Sequence, residues 1–225
     1  MIRALALGAG IAALCAGTAF AQESKKQDAK PDPAKGEAIV KQVCVACHAA
    51  DGNSVAPANP KLAGQFPEYL HKQLVDFKAK DGKKPLRQSA VMNGMVANLS
   101  ESDMANLAAY FSGQKLKPAA ASDKDLAAQG QKLWRGGSAA QGIPACEGCH
   151  GPAGAGIPAQ YPRLAGQYSD YLAAQLKAFR DGVRANDLQS VGSGKRRCAL
   201  GEHIRRERQE YDENKTVHAF PLDWG

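Results

Sequence analysis

The five-residue string Cys44–Val45–Ala46–Cys47–His48 recurs as Cys146–Glu147–Gly148–Cys149–His150, its histidines 102 residues apart. In each copy two thiols stand one helical turn apart and an imidazole follows directly. This is the attachment signature of c-type haem. The thiols add to the two vinyl groups of one porphyrin, and the histidine binds the iron through a ring nitrogen. A thioredoxin-type redox pair or half of a zinc site would not explain a histidine after the second cysteine in both copies. The expected cofactors are therefore two covalently attached haem c groups. Cys44, Cys47, Cys146 and Cys149 are the attachment residues, and His48 and His150 the iron ligands. Such a group also constrains the fold, because a large apolar disc lets helices pack in units too small to build much core of their own.

The copies lie inside a longer repeat. At the same spacing of 102 residues Pro60 matches Pro162, and Leu62–Ala63–Gly64–Gln65 matches Leu164–Ala165–Gly166–Gln167. Tyr69–Leu70, Gln73–Leu74 and Phe77 match Tyr171–Leu172, Gln175–Leu176 and Phe179. No gap is needed, so the chain is a tandem duplication of one haem unit. Each unit is expected to open with a short helix, Lys35–Val43 in the first and Ala127–Trp134 in the second. The loops 49–60 and 151–162 carry too many Gly, Pro and Asn residues for a helix or strand. Tyr69, Leu70, Gln73, Leu74 and Phe77 share one helical face, as do their repeat partners. A further helix starts at Ser100, where Asp103 completes a capping box, with Met104, Leu107, Ala108 and Phe111 as its apolar stripe.

Ahead of the repeat, Arg3 precedes the apolar run Ala4–Ala13, and Ala19–Phe20–Ala21 supplies small residues before Gln22. This reads as a secretory signal peptide cut after Ala21. The run falls short of a membrane span, which needs about 20 apolar residues. Cys15 follows the bulky Leu14, which argues against a lipoprotein site. The mature protein is expected in the periplasm. The net charge is +7, with scattered lysines, and export excludes nucleic acid as its partner. The domain organisation expected is signal peptide 1–21, flexible leader 22–34, first haem domain 35–113, linker 114–123, second haem domain 124–187, and a divergent tail 188–225.

A sixth ligand for the first iron is expected from Val91–Met92–Asn93–Gly94–Met95, a methionine on a loop having both reach and softness. Spacing alone leaves Met92 and Met95 as alternatives; Met104 belongs to the helix stripe.

The sequence resembles cytochrome c4, a family of dihaem, two-domain periplasmic electron carriers. The resemblance rests on Asp51–Gly52–Asn53–Ser54, Pro60–Lys61–Leu62–Ala63–Gly64–Gln65, Met92–Asn93–Gly94–Met95, Leu99–Ser100 and Ala108–Ala109–Tyr110–Phe111–Ser112 in the first unit. In the second it rests on Arg135–Gly136–Gly137, Pro144–Ala145–Cys146, Leu164–Ala165–Gly166–Gln167 and Phe179–Arg180–Asp181–Gly182. It implies an all-α fold of two tandem cytochrome c-like haem domains. It implies Met92 as the axial methionine, with Met95 packing. It also implies that the Pro60 and Pro162 carbonyls hold the second nitrogen of the haem histidines, orienting each ring.

The resemblance stops after Asp187. No methionine follows Met104, and Met92 plus the repeat spacing falls on Gly194, so the second domain is expected to have an atypical, incomplete C-terminus. Three explanations compete: a tail out of frame with its ancestor, His203 or His218 as an unusual ligand, or a five-coordinate second iron. Cys198 is left unpaired.

The function expected is a non-enzymatic electron carrier. Its redox partners would be a quinol–cytochrome c reductase-like donor and a terminal oxidase acceptor, with peripheral membrane association left open. Lys61, Lys72 and Lys78 stand as docking candidates or as ordinary solvated charges. The alternative is a haem peroxidase or the cytochrome subunit of a periplasmic dehydrogenase.

Overall fold

The computed structural model describes residues 30–189. The signal peptide, most of the leader, Cys198, His203, His218 and nearly all of the tail lie outside the described residues. Within them the secondary structure is helical, with isolated bridges and no strand.

In the first unit α1 spans Pro33–Ile39 and is capped by the Asp32 side chain, which accepts from the Ala34 amide. Proline at the first turn suits a helix start, because its missing N–H would be unpaired there anyway. A π-type turn over Val40–Cys44 carries the chain into α2, Val45–His48. The expected helix Lys35–Val43 therefore starts earlier and widens before the motif. Helix α3, Pro67–Phe77, buries Leu70, Gln73, Asp76 and Phe77. The Met92 segment, expected as a loop, is a short helix α4, Ala90–Val96, because the Ser89 hydroxyl accepts from the Met92 amide and nucleates the turn. Helix α5, Glu101–Ser112, opens on the expected capping box between Ser100 and Asp103.

Helices α1 and α5 cross closely at Gly36, where a methyl group would run into the Asn106 carbonyl and Tyr110. Their contact with α3 encloses Val40, Leu70, Leu107, Ala108 and Phe111, with Leu62, Leu74, Leu99 and Tyr110 packed around them. Met104, 2% exposed, is buried as expected.

In the second unit α6 spans Lys124–Gly136, a 3₁₀ turn covers Ala139–Gln141, α7 is Glu147–His150 and α8 is Ser169–Arg180. Neither α6 nor α8 contains a buried residue. Gly130 stands in α6 where Gly36 stands in α1, three residues before a large aliphatic residue. No atom lies within 4 Å of where its side chain would begin. Among the described residues, nothing plays for α6 the part that α5 plays for α1.

The units meet at a seam with repeat symmetry. The Gln65 side chain donates to the Arg163 carbonyl at 2.9 Å and accepts from the Arg163 amide at 3.0 Å. Its repeat partner Gln167 donates to the Lys61 carbonyl at 2.9 Å and accepts from the Lys61 amide at 3.0 Å. Each clamp is topped by a cation over an aromatic ring, Lys61 over Tyr168 at 4.8 Å and Arg163 over Phe66 at 5.9 Å.

Deeper in the seam Arg87 donates to Gln73, Tyr171 and Gln175. Arg184 donates to Gln175 and Tyr69 and pairs with Asp187. Arg87 lies over Phe77 and Arg184 over Phe179, both at 4.5 Å.

Candidate haem sites

The His48 ring closes α2 and is 7% exposed. Its Nδ1 lies 2.9 Å from the Pro60 carbonyl oxygen. The His150 Nδ1 makes the same contact with Pro162, also at 2.9 Å. A carbonyl only accepts, so Nδ1 carries the proton and Nε2 presents its lone pair. Burial lowers the pKa of both imidazoles against the opposing pull of the carbonyl, which favours the neutral, ligating form.

The loop that delivers each proline folds alike in both copies. The Gly52 carbonyl accepts from the Leu62 and Ala63 amides, and the Gly154 carbonyl accepts from Leu164 and Ala165. Its first residue adopts a positive φ, 60° at Ala49 and 77° at Gly151.

No disulfide joins the four cysteines of the motifs. Cys44 and Cys47 share one helical turn, as do Cys146 and Cys149. Two cysteines followed by a histidine with an oriented Nε2 suit a covalent haem, whereas a zinc site would need further ligands. Among the described residues no group of three or more His, Cys, Asp or Glu side chains could hold a metal ion.

In the first unit Met92 is half-buried on α4. Met95 is 48% exposed on α4, whose buried residue is Val96. The Asn93 amide nitrogen fixes α4 by donating to the carbonyls of Phe77, at 2.7 Å, and Arg87, at 3.0 Å. The second unit's described residues hold no methionine. There the His150 ring is flanked by Trp134 and Tyr161, at centroid distances of 6.3 and 5.6 Å.

The lysines considered for docking are engaged within the chain. Lys61 covers Tyr168, Lys72 pairs with Asp76 and, at 3.0 Å, with Asp187, and Lys78 donates to the Leu99 carbonyl. Arg87 and Arg184 were missed in the sequence because they lie 97 residues apart. Five extra residues between Phe77 and Arg87 break the repeat spacing there. Allowing one gap after each Phe would have aligned them.

The protein-family model described as Cytochrome c matches residues 33–115 and again 127–199, past Asp187. Cytochrome c4 of Pseudomonas aeruginosa is 48% identical over 182 residues, covering 77% of this chain and 87% of that protein. The crystal structure of reduced recombinant cytochrome c4 from Pseudomonas stutzeri superposes with a TM-score of 0.63 at 43% identity, covering 78% of this chain and 98% of that one. The thiosulfate dehydrogenase electron acceptor of Thiomonas intermedia is 42% identical over 147 residues, covering 64% of this chain and 65% of that protein. Both halves of the duplication match one domain family, and the similarity to two-domain relatives runs through most of their length. The chain therefore belongs to the cytochrome c4 family, in which two cytochrome c domains carry two covalently bound haem c groups and serve electron transfer rather than enzymatic catalysis.

Proposed function

We propose that Cys44 and Cys47 hold one haem, with His48 and Met92 as its axial ligands, and that Cys146, Cys149 and His150 hold the other. The protein works in the periplasm, accepting electrons from a quinol-oxidising respiratory complex and delivering them to a terminal oxidase. The observation that carries this reading is the matched pair of histidine–proline contacts, His48 to Pro60 and His150 to Pro162. Bound haem supplies an iron that stores and releases one electron at a time. The protein's own residues orient the ligands, bury the first histidine and fix the two units against each other.

The test begins with protein purified from the native periplasm. Intact mass should show two haems and cleavage after Ala21; one haem or none overturns the assignment of the motifs. The purified protein should then be reduced by a quinol–cytochrome c reductase and oxidised by a terminal oxidase. Failure with both overturns the proposed partners and leaves the haem assignment standing.

A second donor is favoured by the similarity to a thiosulfate dehydrogenase electron acceptor. Under that reading a periplasmic dehydrogenase reduces this protein directly, and stopped-flow reduction by such an enzyme separates the two. No methionine follows Met104 in the sequence. A five-coordinate second iron should bind carbon monoxide in the reduced protein while the first iron does not; resistance at the second iron would favour His203 or His218 as its ligand.

A further inference from the structure

The duplication is broken between its matched Phe–Arg pairs. Arg87 lies over Phe77 and Arg184 over Phe179, both at 4.5 Å. The second unit runs from Phe179 to Arg184 in five residues, whereas the first takes ten from Phe77 to Arg87. The contact therefore closes without the extra length. That length forms a tight turn, Lys80–Asp81–Gly82–Lys83, in which the Lys83 amide donates to the Lys80 carbonyl at 2.9 Å. Asp81 and Gly82 both adopt positive φ, 53° and 70°, the pair of conformations that a two-residue hairpin turn favours. Every residue from Ala79 to Lys84 is exposed. Lys80, Lys83 and Lys84 enter no ion pair among the described residues, and Asp81 is the one acid beside them.

One side chain pins both feet of this excursion. The Asn93 amide nitrogen donates to the Phe77 carbonyl, where the excursion starts, and to the Arg87 carbonyl, where it ends. Asn93 adjoins Met92, so the turn is tied to the helix that carries the first unit's axial ligand. The same helix presents apolar surface. Val91 and Met95, one helical turn apart on α4, are 60% and 48% exposed, and Leu86, next to the excursion's end, is 61% exposed. Apolar side chains edged by charge are the makeup of a protein-docking surface. An anionic lipid surface fits less well, because Asp81 at the tip would face its headgroups.

The ligands indicate what docks. Methionine opposite histidine raises an iron's potential, and no methionine follows Met104 to serve the second unit. Electrons held by the protein therefore collect in the first unit and leave from it. We infer that Lys80, Lys83 and Lys84 are the docking element for the electron acceptor, a protein that meets them with an acidic surface and covers the exposed face of α4. One electron passes from the reduced first unit to the acceptor, with no bond made or broken. This assignment rests on the proposed carrier role and on Met92 as ligand.

The experiment is stopped-flow oxidation of the reduced dihaem protein by a detergent-solubilised terminal oxidase. Joint replacement Lys80→Gln, Lys83→Gln and Lys84→Gln should lower the second-order rate constant by about tenfold at low ionic strength, a loss that charge steering can account for. Parent and variant should converge at about 1 M salt, where screening acts within about 3 Å. Lys124→Gln, Lys132→Gln and Lys177→Gln together remove the same charge from exposed positions of the second unit and should slow the reaction far less. Equal losses in the two triple variants overturn the inference, because net charge alone would then set the rate. So does a parental rate in the first variant. A parent that the oxidase does not oxidise overturns the carrier role itself, and the acceptor with it. Acetylation followed by mass spectrometry gives a readout without any variant. In the complex with oxidase Lys80, Lys83 and Lys84 should be protected while Lys124, Lys132 and Lys177 stay reactive. Protection by phosphatidylglycerol vesicles but not by the oxidase makes the turn a lipid anchor and overturns the inference.

Discussion

Gln65 and Gln167 each grip the backbone of the other's unit, with the same two hydrogen bonds at the same two lengths, 2.9 and 3.0 Å. Replacing either with Ala strands an amide and a carbonyl at the seam, a cost of about 1–3 kcal/mol. Gln65→Ala with Gln167→Ala should separate unfolding into two transitions, the second unit melting first because α6 and α8 bury so little. Calorimetry of the oxidised protein checks this; a single, unshifted transition would contradict it.

Met92→Ala should abolish the near-infrared sulfur-to-iron band of the first haem and lower its potential, since methionine opposite histidine raises it. Met95→Ala, a change at a half-exposed side chain, should leave both unaltered. The reverse pattern would transfer the ligand to Met95.

The positive φ that follows each haem histidine is held by Ala49 in one unit and by glycine in the other. With ψ near 164°, Ala49 lies in a region that strains any residue with a Cβ, at about 1–3 kcal/mol. Ala49→Gly should stabilise the first unit by about 1 kcal/mol, the relief of strain exceeding the added chain entropy of about 0.4–1 kcal/mol. Gly151→Ala, which meets no atom within 4 Å, should destabilise through backbone strain alone. Denaturant midpoints followed at each haem's absorbance report both.

Gly36→Ala should cost about 1–3 kcal/mol by forcing α1 from α5. Gly130→Ala should instead stabilise α6, by up to about 1 kcal/mol, since the exposed helix gains propensity and meets no neighbour. Destabilisation at Gly130 in thermal melts would mean that α6 is covered in solution.

Asp187 ties the seam to Lys72 and Arg184. Its carboxyl titrates lower in the folded protein than in the unfolded chain, because those two cations more than offset the effect of burial. Its contribution is complete above the ordinary carboxylate range and is lost as pH falls through the folded value. Asp187→Asn should weaken the protein at neutral pH by on the order of 2 kcal/mol. It should also flatten the acid-side loss of stability, measured as denaturant midpoints between pH 6 and 3.

The haem motifs and the helical faces were legible in the sequence because each depends on local spacing. Covalent attachment fixes the Cys and His positions, and the capping box is set by Ser100 and Asp103 alone. The Met92 helix was not legible, since a Ser89 cap before Gly94 reads as readily as a turn. Nor were the roles of Lys61, Lys72, Arg87 and Arg184, whose partners lie in the other unit more than 80 residues away. A contact between repeats has no signature at short range, and the gap before Arg87 hid the one long-range clue.

The reciprocity of the two glutamine clamps has a bearing on assembly. A contact in which the same residues serve both sides is isologous, the geometry of a twofold dimer. Each unit therefore carries both halves of its own lock. A lone unit of this kind is self-complementary, and covalent fusion makes the pairing intramolecular, replacing dependence on bulk concentration with the effective concentration set by the connecting segment. That segment is itself short and anchored, since Asn53 bonds the Lys115 carbonyl and the Lys117 amide. The pair consequently does not dissociate on dilution as a free dimer of single units would.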